Sequence, residues 1–287
     1  MPPVLVIARL TVQEASRRRL LLALVVLTLL VVGFSAWGFY KITTFTNSEG
    51  QLLPTAQVRL ITSQLLIVVT FMYSGVLALS AAVVAGPLIS AEVESGLLLS
   101  MLARPVRRSE IVIGKWLGLA ILVAIYAAGS ALLELTAVNL TTGYTPPHPI
   151  DLVAYVAAEG LCLLSLGLLL STRLSGITGG VIALVAWLMA WIAGVVGDIG
   201  TALQNDAVAN IGRVSHIVLP TDGLWRGAVY AMEPDAVLAT LRAAGAAGRA
   251  NPFSAVDPPP TSFLVWVVVW FGLILILSIW SFRTREI

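Results

Sequence analysis

The chain has 287 residues, 58% of them hydrophobic and 11% charged, with a formal net charge of +2. Soluble domains carry about 25% charged residues, so this composition excludes a water-soluble enzyme or binding module and makes lipid part of the solvent. The one cysteine, Cys162, lies inside an apolar run, which excludes an internal disulfide framework and a cysteine zinc site.

Residues 1–19 open with Val4, Leu5, Ile7, Leu10 and Val12 set against Arg9, Gln13 and Glu14. From Pro3 to Ser16 the pattern is that of an amphipathic helix lying on a membrane surface, with a frayed extension of the first span as the alternative. A transmembrane helix needs about 20 apolar residues. The first such run, Leu20 to Tyr40, follows Arg17, Arg18 and Arg19; it is longer than a signal core and is read as an uncleaved span. The second is charge-free from Leu60 to Ala91, which predicts a span over Ile61 to Val84 and a break near Gly86-Pro87. Further spans are predicted at Trp116 to Val138, Leu152 to Thr172, Gly176 to Gly197 and Phe263 to Phe282. Lipid cannot satisfy backbone amides, so all six are helices, and the fold class is an all-α integral membrane protein in one domain, 1–287. Gly160, Gly167, Gly179 and Gly180 are spaced to allow close helix approach.

Arg9, Arg17, Arg18, Arg19, Arg104, Arg107, Arg108, Lys115, Arg173, Arg283 and Arg285 all fall on one side, eleven of the seventeen basic residues. Positive residues stay inside, so both termini are expected to be cytoplasmic. Trp37, Trp116, Trp266 and Trp280 fall near span ends, where an amphipathic ring prefers to sit.

Two loops are longer than connectors require. The cytoplasmic loop, 85–115, mixes apolar residues with both signs of charge and is punctuated by Gly96 and Pro105. Ser109 is placed to cap the third span, with Glu110 in its first turn. The outer segment, 198–262, holds Ile211, Val214, Ile217 and Val218 at helical spacing as far as Pro220. Thr221-Asp222 is placed to cap a second short helix, and Asp235 to begin a third. These pieces are too short and polar to cross; they are expected to lie in the outer interface or dip into it.

Glu92-Val93-Glu94-Ser95-Gly96-Leu97-Leu98, then Arg104-Pro105-Val106-Arg107-Arg108-Ser109-Glu110 and Gly114-Lys115, resembles the signature of type-two ABC exporter permeases. The closing Trp280-Ser281-Phe282-Arg283-Thr284-Arg285-Glu286 is similar to the end of the same family, and Leu219-Pro220-Thr221-Asp222 resembles its outer segment. The resemblance implies a multi-pass permease of the bacterial plasma membrane, paired with a second permease (identical or related) and docked on a separate ABC-type ATPase subunit. It places Glu92, Glu94, Gly96, Arg104, Pro105 and Arg108 at or near the ATPase contact. ATP and magnesium would then belong to the partner, and this chain would need no cofactor of its own.

The catalytic inventory fits that expectation. The only Gly-Lys, Gly114-Lys115, lacks the phosphate-cradling sequence, since position 109 is Ser and Trp116 follows. His148 and His216 have no ligand spacing, no paired nucleophile and base is present, and no nucleic-acid partner is expected. Two acids lie within spans. Glu159, eight residues into the fourth, is either a transport-path or proton-carrying group or a carboxyl bonded to a neighbouring helix. Glu134, toward the outer end of the third, is read as interfacial. A stand-alone proton- or ion-coupled transporter using Glu159 is the competing function, although the chain shows no paired repeat halves.

Overall fold

The structure, a computed structural model, describes residues 2–16, 19–46, 50–96, 107–245, 248 and 251–285. Eleven helices run through these residues: α1 (Pro3–Ser16), α2 (Arg19–Thr43), α3 (Thr55–Ala85), α4 (Pro87–Glu94), α5 (Arg108–Thr142), α6 (Pro149–Ser171), α7 (Gly176–Ala202), α8 (Asp206–Val218), α9 (Thr221–Met232), α10 (Asp235–Ala243) and α11 (Thr261–Arg283). Six are long and apolar enough to cross a membrane, the six expected from the sequence, with α3 and α4 counting as one. The break falls where expected. The Gly86 N–H closes α3 on Ala82 O at 3.0 Å, and Pro87, which has no N–H to offer, opens α4.

α6 is the central helix. It packs on α3, α5, α7, α9 and α11, whereas α2 sits at the edge against α5 and α3. Gly160, Gly167 and Gly180 all lie at close helix contacts, as their spacing implied. Without a hydrophobic force between helices in lipid, such close approach and interhelical hydrogen bonds hold the bundle.

The segment between α7 and α11 folds back along the bundle. α8 folds back along α7, with Gly197 against Gly212, where a Cβ on Gly197 would sit 2.7 Å from the Gly212 Cα. Ser215 donates to Ala190 O at 3.3 Å. Ala190 lies twelve residues before the end of α7, about 18 Å back along its axis, so the tip of the hairpin lies well inside the bundle from that end of α7. Trp266 and Trp270 of α11 donate to Ile217 O and Val218 O at 3.2 and 2.9 Å, satisfying carbonyls that end α8. Ile211, Val214, Ile217 and Val218 face outward, and α8 packs inward through Ala209 and Gly212. After the Leu219-Pro220 turn, α9 climbs back, almost wholly buried, and receives the His148 N–H on Ala231 O at 3.2 Å.

Candidate functional site

The described residues of the sequence motif lie at the end of the bundle where α1 begins and α11 ends. α1 lies across α5 because Gly114 and Gly118 leave room for it: a Cβ on Gly114 would meet Ile7 Cβ at 2.8 Å, and one on Gly118 would meet Ala8 O at 2.6 Å. Ile7, Ala8, Thr11 and Ala15 are buried there while Leu5 and Leu10 stay exposed, so the helix docks on α5 by a narrow face of mostly small residues and is not a frayed part of the first span. The Gly of the Gly-Lys pair is therefore a packing residue.

Its neighbour Lys115 closes the structure from the other side. The ammonium, 5% exposed, bonds Glu92 Oε1 at 2.5 Å and Leu88 O at 2.7 Å, tying α4 to α5. Glu92 is 20% exposed, and its Oε2 is buried without a partner. Glu94, two residues on, is exposed. The two acids of the motif thus part company: Glu92 braces the loop internally and Glu94 faces solvent. Gly96 ends α4 in a left-handed conformation (φ +72°) that disfavours any other residue. Arg104 and Pro105 lie outside the described residues.

Arg108 also turns inward. Its Nη1 donates to Phe282 O, Arg283 O and Arg285 O at 3.0, 3.1 and 2.8 Å, and its guanidinium lies 5.7 Å from the Phe282 ring. These are the orphan carbonyls at the end of α11, where a cation also complements the helix dipole. Arg285 donates to Thr172 O at 2.7 Å, and Arg173 donates to Ser281 Oγ at 3.1 Å and to Thr284 Oγ1. The start of α5, the α6–α7 turn and the end of α11 are thereby pinned together. Ser109 does not cap α5. Glu110 takes that role by accepting the Arg107 N–H at 2.8 Å, because Arg107 is the residue that precedes the first turn.

The two acids within spans are enclosed by protein. Glu159, 2% exposed, accepts from Ser74 Oγ on Oε2 and from Trp187 Nε1 on Oε1, both at 2.8 Å. It bonds to neighbouring helices and faces none of the cavities found among the described residues. Glu134 is likewise 2% exposed and accepts from Ser35 Oγ of α2 at 2.9 Å, because α2 covers that face of α5.

A further polar cluster was missed in the sequence. At the hairpin tip, Asp222, whose side chain is 0% exposed, is bonded on Oδ2 by Arg226 Nε at 2.9 Å and sits 2.7 Å from His216 Nε2. Arg226 also pairs with Asp198 of α7. Asp222 therefore does not cap α9; its side chain reaches one turn on, to the i+4 arginine. That spacing was the readable signal. At the outer end of α9, Glu233 is 1% exposed and burial pushes its carboxyl up to about 7.

Six helices long and apolar enough to span, a short helix docked beside them and a hairpin folded back among them define a polytopic helical membrane protein. No curated protein matches the sequence. The family description "ABC-2 family transporter protein" does match, over residues 5–287. The chain belongs to that family, whose members are membrane permeases of ABC transporters.

Proposed function

We propose that the chain is the membrane-spanning permease subunit of an ATP-driven exporter, worked by a separate ATPase that docks on the end carrying the termini. The observation that carries this reading is the bracing of that end. Lys115 locks α4 to α5, Arg108 locks α5 to the end of α11, and Gly114 and Gly118 seat α1 across the same helix. A force applied at one point there reaches several spans at once, as a lever between a nucleotide switch and a bundle requires. Among the described residues Arg9, Arg107, Arg108, Lys115, Arg173, Arg283 and Arg285 gather at the same end, in keeping with a cytoplasmic face.

Within this platform Glu94 is the exposed acid available to a partner, while Glu92 and Arg108 act through the helices they hold. A second copy or a sister permease would complete the transport path between subunits. The test is co-purification with the candidate ATPase from a neighbouring reading frame, followed by ATP hydrolysis in proteoliposomes. The expected result is a stable complex whose hydrolysis rate depends on the permease. A permease that purifies without the ATPase and leaves its hydrolysis unchanged would refute the reading.

A further inference from the structure

Two buried polar groups on facing helices share one small cavity. It lies between α3, α5 and α6 and gives the centre of a water molecule about 20 Å³ of room. One water needs roughly 10–15 Å³ of such room, so the cavity takes a water and nothing larger. Tyr73 of α3 and Glu134 of α5 line it, 8% and 2% exposed. The Tyr73 hydroxyl and Glu134 Oε1 are both buried, and neither makes a hydrogen bond of proper geometry among the described residues, although the two side chains are close neighbours.

The rest of the lining completes a set of partners. Glu134 Oε2 is taken by Ser35 Oγ of α2, so Oε1 is the oxygen left over. Ser130, one turn before Glu134 on the same face of α5, spends its proton on Ala127 O at 3.1 Å. Thr70, one turn before Tyr73 on α3, spends its proton on Met232 Sδ at 3.3 Å. Both hydroxyls therefore offer the cavity lone pairs and no proton. A water has two protons to give and lone pairs to receive the Tyr73 proton, so it satisfies this lining where an alkyl group would leave it unmet. A carboxylate or a carboxyl at position 134 is served equally, because the water can donate to it or accept from it.

We infer that this cavity is the binding site of a single water molecule that bridges the Tyr73 hydroxyl and Glu134 Oε1. The water extends the Ser35–Glu134 hydrogen bond into a chain that joins α2, α5 and α3. Glu134 lies eight residues before Thr142, so the chain crosses the bundle about 12 Å inside that end of α5. Such bonds count in lipid, where helices gain nothing by hiding apolar surface from one another. The alternative is a dry cavity with a direct bond from Tyr73 to Glu134.

The experiment is radiolytic hydroxyl-radical footprinting of the full-length protein in phosphatidylcholine nanodiscs. A short X-ray pulse splits water where it sits, and mass spectrometry reads which side chains are oxidised. A side chain beside an enclosed water is oxidised although bulk solvent does not reach it, so Tyr73 should be modified. Ser130→Val fills the cavity with hydrocarbon and should cut the Tyr73 rate about tenfold, while Tyr126, which lies outside this cavity, keeps its rate. Val156→Ile adds one methylene from the α6 wall and should lower the Tyr73 rate too, which keeps the test open where Ser130→Val also disturbs Tyr126. A Tyr73 left unmodified in the wild-type protein would mean the dry cavity, and a Tyr73 rate unmoved by either filling would mean access from bulk solvent. Each of these results would overturn the inference.

Discussion

Reversing one partner of the Glu92–Lys115 pair tests whether Glu92 works as a brace or as a docking group. Glu92→Lys sets two ammoniums together beside a Lys115 that is only 5% exposed, and Lys115→Glu sets two carboxylates together. Unit charges about 4 Å apart interact by about 4 kcal/mol at an effective dielectric of 20. Glu92 retains 20% exposure, which softens this, and breaking a buried pair typically costs about 3–5 kcal/mol. Each single reversal should therefore destabilise the protein by about 3 kcal/mol. The double reversal should recover about half of the summed loss, since a carboxylate at position 115 cannot donate to Leu88 O, giving a coupling energy of about 3 kcal/mol. Equilibrium unfolding in mixed micelles, followed by tryptophan fluorescence, measures all four corners of the cycle. ATPase co-purification should follow the same pattern, lost in Glu92→Lys and restored in the double variant. Effects additive to within about 0.5 kcal/mol would refute the brace. A double variant that is stable yet still fails to hold the ATPase would place Glu92 in direct contact with it.

Other sites give independent checks. Gly118→Val drives a branched side chain into Ala8 O and Thr11, so α1 should detach; protease cleavage within residues 3–16 should rise while the spans stay intact. Asp222→Ala strips Arg226 and His216 of their shared carboxylate and should cost about 3 kcal/mol in the same unfolding assay, with Asp222→Asn less severe. Glu233 has its folded carboxyl raised to about 7 from an ordinary 4.5, so the folded state favours the protonated form. Stability should then be unaffected below about pH 4.5 and fall as pH rises toward 7, by at most about 3 kcal/mol; Glu233→Gln should flatten that slope.

The spans were legible because lipid imposes a length and a charge limit that can be read without knowing the packing. The extent of α1 was legible too, but not the face that packs: of the apolar residues that marked it only Ile7 is buried, beside Ala8, Thr11 and Ala15, while Leu5 and Leu10 are exposed. The internal partners were not. Glu159 is held by Ser74 and Trp187 and Glu134 by Ser35, residues whose types carry no signal and whose positions lie 28 to 99 residues away. The apolar stripe of α8 did not by itself say which way it faces. In a soluble protein the stripe Ile211, Val214, Ile217, Val218 would mark the buried face, whereas beside lipid it marks the outer face and the small Ala209 and Gly212 do the packing. The described residues of the motif divide by role: Glu92, Arg108 and Gly114 hold helices together and Glu94 is left exposed.

That division makes position 94 the most direct probe of the proposed coupling. In a Cys162→Ser background, Glu94→Cys should cross-link to the ATPase through a short thiol-reactive linker. The introduced thiol should also resist an impermeant reagent added outside intact cells, and react once the membrane is opened. Labelling of that thiol from outside intact cells, with no cross-link to the ATPase, would contradict the account.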